Sequence, residues 1–242
     1  MKPKTCRDGW RALAWAIAIL SSVTLLPSAQ AQHGHLNAGA LGQNQGDRLN
    51  FANGDLFAAS SGYVKELPLA ASGTYAGYYE GGITLTALPT TVANGGPTAG
   101  ASAPGSFIMV GVESVNGPSG GAFGIWEEGA TSPTFEYGVG YDVTVPSSLM
   151  SLSDASLGAG SPGADPYGHL HGRRFTATEP GDYTVGFKLF DVSANGLNGG
   201  PIHTPSETLL VTFRAIPEPS VVALAVVGTA GLWFRSRSRL RR

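Results

Sequence analysis

Glu179-Pro180-Gly181-Asp182-Tyr183-Thr184-Val185-Gly186-Phe187-Lys188-Leu189-Phe190-Asp191-Val192 is the stretch that decides the fold. Pro180-Gly181 turns the chain. A period of two then puts Tyr183, Val185, Phe187 and Leu189 on one face of an extended strand. Thr208-Leu209-Leu210-Val211-Thr212-Phe213 reads as a second buried strand. Ile83-Thr84-Leu85-Thr86, Phe107-Ile108-Met109-Val110-Gly111-Val112 and Tyr141-Asp142-Val143-Thr144-Val145 read as further strands. In Leu49-Asn50-Phe51-Ala52-Asn53-Gly54-Asp55-Leu56-Phe57 an Asn-Gly stands between two short apolar runs, a hairpin signal. The 35 glycines and 16 prolines cut the chain into short segments, and few stretches have helical spacing. These signals predict an all-β fold: a single antiparallel β-sandwich, Ig-like or jelly-roll-like. Segments 89–105 and 151–166 are rich in Gly, Ala, Ser and Pro and are expected to be long surface loops.

The two ends read differently. Lys2, Lys4, Arg7 and Arg11 form a basic start, residues 12–26 are apolar apart from Ser21, Ser22 and Thr24, and Pro27 and Ala29-Gln30-Ala31 follow. That order predicts a secretory signal over 1–31, cut between Ala31 and Gln32. The apolar run is short of the ~20 residues that an uncut spanning helix needs. At the other end, Ile216-Pro217-Glu218-Pro219 precedes an uncharged apolar stretch, 220–234, and then Arg235, Arg237, Arg239, Arg241 and Arg242. As a helix the stretch would rise about 22 Å against ~30 Å of hydrocarbon, a short transmembrane helix. The arginines would hold the C-terminus in the cytoplasm and leave 32–216 outside the inner membrane.

Pro217, Glu218 and Pro219, the apolar helix and the Arg-rich end together resemble the PEP-CTERM sorting tail of Gram-negative bacteria, over 217–242. The resemblance implies export through the secretion translocon and recognition by an exosortase-type sorting enzyme. The chain is then expected in the periplasm, anchored in the inner membrane before processing, and afterwards at the cell surface or outside the cell.

With both ends set aside, six basic residues face fifteen acidic ones, so 32–216 carries −9 where the whole chain carries −2. A charge of that sign argues against nucleic acid as a partner. The single cysteine, Cys6, lies in the signal. The exported part therefore has no disulfide, thiol catalysis or Cys-based metal site, and an ordinary hydrophobic core must hold it.

The 5 histidines all fall in the exported part, and four of them form two His-x-His pairs, His33-Gly34-His35 and His169-Leu170-His171. Random placement would give roughly 0.1 such pairs in a chain this poor in histidine. On a strand, residues i and i+2 share a face about 6.5–7 Å apart, close enough for two imidazoles to converge on one ion. His169 and His171 begin a stretch that reads as a strand through Phe175. His203 lies in the loop before the strand at 208–213. His33 and His35 sit where a new N-terminus could reach over. The candidate metal ligands are His33, His35, His169, His171 and His203, with Asp165 a nearby carboxylate. Imidazole suits zinc, copper or nickel and the spacing does not choose among them; without thiols, in an oxidising compartment, zinc or copper(II) remains.

Gly168-His169-Leu170-His171, Phe175-Thr176 and Pro180-Gly181-Asp182-Tyr183-Thr184-Val185 look like the pattern of a family of surface-anchored bacterial β domains. With His33-Gly34-His35-Leu36-Asn37-Ala38-Gly39-Ala40 and the tail, the chain is similar to PEP-CTERM proteins repressed by the zinc uptake regulator. The resemblance implies a role in zinc homeostasis at the envelope, with a metal-transfer partner there.

Trp126-Glu127-Glu128 and Glu136 gather carboxylates, but neighbouring residues of a strand point to opposite faces, a poor arrangement for paired acid–base work. Neither H-E-x-x-H nor a phosphate-binding loop is present. The expectation is a zinc-binding protein, not an enzyme, that sequesters or buffers the ion. The alternative is a structural or adhesive surface protein, to which Tyr75, Tyr78 and Tyr79 would contribute.

Overall fold

The computed structural model describes residues 35–89, 99–127, 129–153, 169–170 and 173–217. In chain order the strands are β1 (His35–Ala40), β2 (Leu49–Phe51), β3 (Val64–Pro68), β4 (Tyr79–Gly81), β5 (Thr84–Ala87), β6 (Ile108–Asn116) and β7 (Ala122–Trp126). They continue with β8 (Phe135–Gly138), β9 (Tyr141–Asp142), β10 (Leu149–Ser153), β11 (His169–Leu170), β12 (Arg174–Ala177), β13 (Gly181–Asp191) and β14 (Leu209–Ile216). The protein is all-β, and the helical elements among the described residues are three single turns of 3-10 type. No helix among the described residues is long and apolar enough to cross a membrane. The signal at 1–31, with its cut at Ala31 and Gln32, and the tail from Glu218 onward lie outside the described residues; Pro217 is the last residue within them.

The alternating stretch forms the longest strand. Along β13 the side chains of Tyr183, Val185, Phe187 and Leu189 are buried to 2% exposure or less. Each of the aliphatic or phenyl groups contributes roughly 1.5–3 kcal/mol by leaving water. β13 is antiparallel to β6 on one side and to β14 on the other. The sheet runs β10-β6-β13-β14-β3, with β9 paired to β6. A second sheet runs β11-β5-β1-β2 and a third β4-β12-β7-β8. One hydrophobic core takes residues from all three sheets. Phe213 of β14 lies 4.9 Å from Phe123 of β7 and 5.4 Å from Phe175 of β12, ring centre to ring centre, joining the first sheet to the third.

Tyr183 anchors the start of β13. Its hydroxyl donates to the carbonyl of Glu179 at 3.0 Å and accepts the Glu179 N–H at 3.1 Å. Two glycines make this corner possible. Gly181 has φ +130°, a backbone that L side chains rarely adopt. A Cβ on Gly121 would stand 2.4 Å from the Tyr183 hydroxyl. The Pro-Gly-x-Tyr pattern is thus a corner with a physical reason for each residue.

Several expectations need correction. The pairing is not purely antiparallel, because β1 runs parallel to β5 and β3 parallel to β14. Asn53-Gly54 does not close a hairpin. β2 ends at Phe51, a 3-10 turn covers Gly54–Leu56, and the Asn53 side chain turns back to β1, donating from Nδ2 to the His35 carbonyl and accepting the Asn37 N–H. A side chain that satisfies a strand edge competes with the turn that its residue type otherwise favours. The strand at 141–145 stops after Asp142, and Val145 is exposed. The loop at 89–105 is not all surface: Ala101, Ser102 and Ala103 are buried. Residues 151–153 belong to β10, and 154–166 lie outside the described residues.

Candidate metal centre

The described part of the β5 sheet positions two of the five histidines. Register aligns His35 of β1 with Thr84, and His169 of β11 with Thr86. Paired residues share a face and so do residues two apart on one strand. Positions 35, 84, 86 and 169 therefore lie on one face of this sheet. The opposite face carries Leu36, Ala38, Leu85 and Ala87, all in the core. His35 is half-buried, and its Nδ1 shares a 3.2 Å hydrogen bond with Thr86 Oγ1. Thr86 itself is buried. On the backbone side, Asn53 holds β1 with bonds of 2.7 Å and 2.8 Å at His35 and Asn37.

Of the strand expected from His169 through Phe175, the described residues form two strands in different sheets: β11 pairs with β5 in the second sheet and β12 with β4 and β7 in the third, and residues 171 and 172 lie outside the described residues.

His203 is a correction. It lies in the expected loop but is 2% exposed. Its Nδ1 is 2.9 Å from the Asp47 carbonyl, which can only accept, so Nδ1 carries the proton. Its Nε2 accepts the Ala103 N–H at 2.8 Å. A neutral imidazole has one lone pair to offer a metal, and here a backbone amide holds it. His203 is a structural histidine. His33, His171 and Asp165 lie outside the described residues. Among the described residues no group of three or more His, Cys, Asp or Glu stands together as a metal site.

The carboxylates that the structure commits to the fold were not the ones the sequence drew attention to. Asp191 is buried, and Oδ1 accepts the N–H groups of Phe107 and Ser193 while Oδ2 accepts those of Ile202 and His203, all at 2.9–3.0 Å. The signal was in the alternation: Asp191 continues the Leu189 face, so a carboxylate there had to be buried and bonded. Glu113 sits at a bulge, where β13 steps from Ser114 to Val112 between Gly186 and Phe187. It takes Lys188 Nζ at 2.8 Å and the Thr208 hydroxyl. Glu127 forks with Arg173 at 2.9 and 3.1 Å, and Glu128 lies outside the described residues. Burial pushes the Arg173 guanidinium below its usual range, and the Glu127 charge pulls it back up. Tyr75 and Tyr78 pack edge-on against the buried Trp126 at 4.9 and 5.4 Å, and Tyr79 is in the core. These aromatic residues serve packing. Comparisons with protein families, with curated proteins and with solved structures find no match.

Proposed function

We propose that the chain is a single β-sandwich, exported to the cell envelope, that binds zinc through its two His-x-His pairs and sequesters or buffers the ion. The observation that carries the reading is the register of β1, β5 and β11. One residue from each pair, His35 and His169, lies beside β5 on one face, although the two are far apart in sequence. Imidazole donors with no cysteine in 32–216 suit zinc or copper(II), and the resemblance to PEP-CTERM proteins repressed by the zinc uptake regulator favours zinc. The residues proposed to hold the ion are His33, His35, His169 and His171; both ring nitrogens of His203 bond backbone groups.

The sandwich reading draws on the core that the three sheets share and on the Tyr183 corner, a recurring feature of Greek-key sandwiches. A binder rather than an enzyme is favoured because Asp191, Glu113 and Glu127 are tied to backbone amides or to cations. The signal before Gln32 and the Pro217-Glu218-Pro219 tail support export by the translocon, sorting by an exosortase-type enzyme and hand-over of zinc to an envelope partner.

The test uses the full chain in mild detergent, stripped with a chelator and titrated with zinc by calorimetry and thermal melting. Sub-micromolar binding is expected, with a melting temperature that rises with zinc, since ligand at 100 times its Kd adds about 2.7 kcal/mol of stability. His169→Ala with His171→Ala should abolish both effects. No binding by the unsubstituted chain, or unchanged binding by the double variant, contradicts the reading and favours a structural envelope role.

A further inference from the structure

We propose that the protein carries a second binding site, independent of zinc, which takes one neutral sugar ring in a cleft beside β2. Arg48 and Thr204 begin a parallel pairing. The Leu49 N–H donates to the Thr204 carbonyl at 3.0 Å, and the Thr204 N–H to the Asp47 carbonyl at 3.2 Å. In a continuing parallel ladder the next bonds would run from the Ser206 N–H to the Leu49 carbonyl and from the Phe51 N–H to the Ser206 carbonyl. The Ser206 N–H goes instead to the Leu189 carbonyl of β13 at 3.1 Å. The two segments part there, and a cleft of about 180 Å³ opens between 48–55 and 206–209.

The lining combines the two surfaces that a sugar presents. A pyranose ring has hydroxyls around its rim, each a donor and an acceptor, and apolar C–H groups on its faces. Phe51 and Leu209, both half-buried and packed on the core, give the cleft an apolar wall. Gly54 leaves that wall uncovered, since a Cβ there would stand 3.1 Å from the Phe51 Cβ and 3.5 Å from Leu209 Cδ1. Asp55 and Glu207 are exposed and offer carboxylate acceptors, and Arg48, which pairs with Glu207, offers donors. The Leu49 carbonyl and the Phe51 N–H, left without their ladder bonds, add a backbone acceptor and a backbone donor. One cation against two carboxylates favours a neutral ring over an acidic one. The size sets the length: the cleft is below the roughly 300–1,000 Å³ that encloses drug-sized ligands, so it takes one ring. A divalent cation fits less well, because Arg48 occupies Glu207 and among the described residues no three acidic or histidine side chains stand together.

The test uses the full chain in a detergent without a sugar headgroup. The probes are the methyl glycosides of glucose, galactose and mannose, with glucuronate as the acidic sugar, and binding is read by saturation-transfer NMR and titration. At least one neutral glycoside is expected to bind with a Kd of about 1 mM, the value that ordinary ligand efficiency gives for about thirteen non-hydrogen atoms. Glucuronate should bind at least about 10-fold more weakly. Asp55→Ala with Glu207→Ala should weaken the neutral sugar at least about 10-fold, since both are charged acceptors, and leave melting temperature and zinc affinity unchanged. Glu136→Ala, exposed on β8, should change nothing. Where the double variant does not fold, Arg48→Gln carries the same expectation and decides. No binding of any of the three glycosides at about 50 mM, far above the expected Kd, overturns the site. Glucuronate bound as well as the neutral sugars, or unchanged binding by the folded variant, also overturns it. Each of these outcomes leaves the zinc reading intact.

Discussion

Around His203 every ring nitrogen and both oxygens of the neighbouring Asp191 are committed within the protein, to Asp47, Ala103, Phe107, Ser193, Ile202 and His203 itself. On the face of the β5 sheet, His35 and the threonines of β5 form a polar row that runs on to position 169. Both regions contain a histidine in a chain with 5 of them, and both border strands of the same core. They differ in the partners their rings take. His203 uses its proton on a carbonyl and its lone pair on an amide, so it is a two-ended strut between loops. His35 has Nδ1 beside a hydroxyl, the kind of outer bond that orients a metal-bound imidazole. The difference teaches that a histidine is read by the partners of its ring nitrogens, and that the surrounding sequence, Gly-Pro-Ile-His-Thr-Pro in one case and Gly-His-Leu-Asn in the other, does not reveal them.

The largest effect in this comparison is expected at Asp191. Asp191→Ala leaves four N–H groups, two of them buried and two part-buried, without their acceptor, and each such loss at a buried group costs about 1–3 kcal/mol. The expected loss is at least about 3 kcal/mol in urea unfolding, with zinc affinity unchanged in whatever remains folded. His203→Ala comes next, with about 2–3 kcal/mol lost for the same reason at Ala103 and Asp47, and again no change in zinc affinity. Weaker zinc binding in folded His203→Ala would erase the distinction between the two regions.

Thr86→Val sharpens the other side. The substitution keeps the shape of the side chain and removes the partner of His35 Nδ1. Zinc affinity should fall about 10–100-fold while stability without metal shifts by about 1 kcal/mol, and Thr86→Ser should restore binding. Equal affinity in Thr86→Val would leave His35 with no more claim to a metal role than His203.

The smallest effect expected is a gain. The Tyr137 hydroxyl is buried without a hydrogen-bond partner among the described residues, and burial, with Tyr141 adding to it, pushes its pKa up to about 12. Tyr137→Phe should stabilise by about 1 kcal/mol at neutral pH. The folded pKa is raised above the ordinary value of 10.0, so stability is fully present below that pH and declines as pH rises toward about 12. The phenylalanine variant should therefore lose less stability over that alkaline range, measured by urea unfolding at stepped pH.

Much of the fold was legible because period-two alternation and burial are the same fact seen at two levels. Tyr183 to Leu189 lie in a strand with the expected face buried, and most of 208–213 and 107–112 are strand as well, although Leu210 is exposed. What misled was chemistry that serves two purposes. Asn53-Gly54 carries turn residues, yet Asn53 is used as a strand-edge clamp. The two parallel pairings link segments separated by long intervening chain, which local pattern cannot register. Of the candidate ligands, the pairing of spacing and residue type drew attention to the His169 stretch. Its placement beside β5 depends on a strand far away in sequence, so only register reveals it. The role of His203 was not legible because burial of a loop depends on what meets it from elsewhere in the chain, here the Ala103 N–H and the Asp47 carbonyl.

The most direct measurement is a calorimetric zinc titration of the stripped full chain, carrying either His203→Ala or His169→Ala with His171→Ala. Sub-micromolar binding retained by the first variant and lost by the second is the result this account predicts. Binding retained by the second variant, or lost only by a folded first variant, would contradict it.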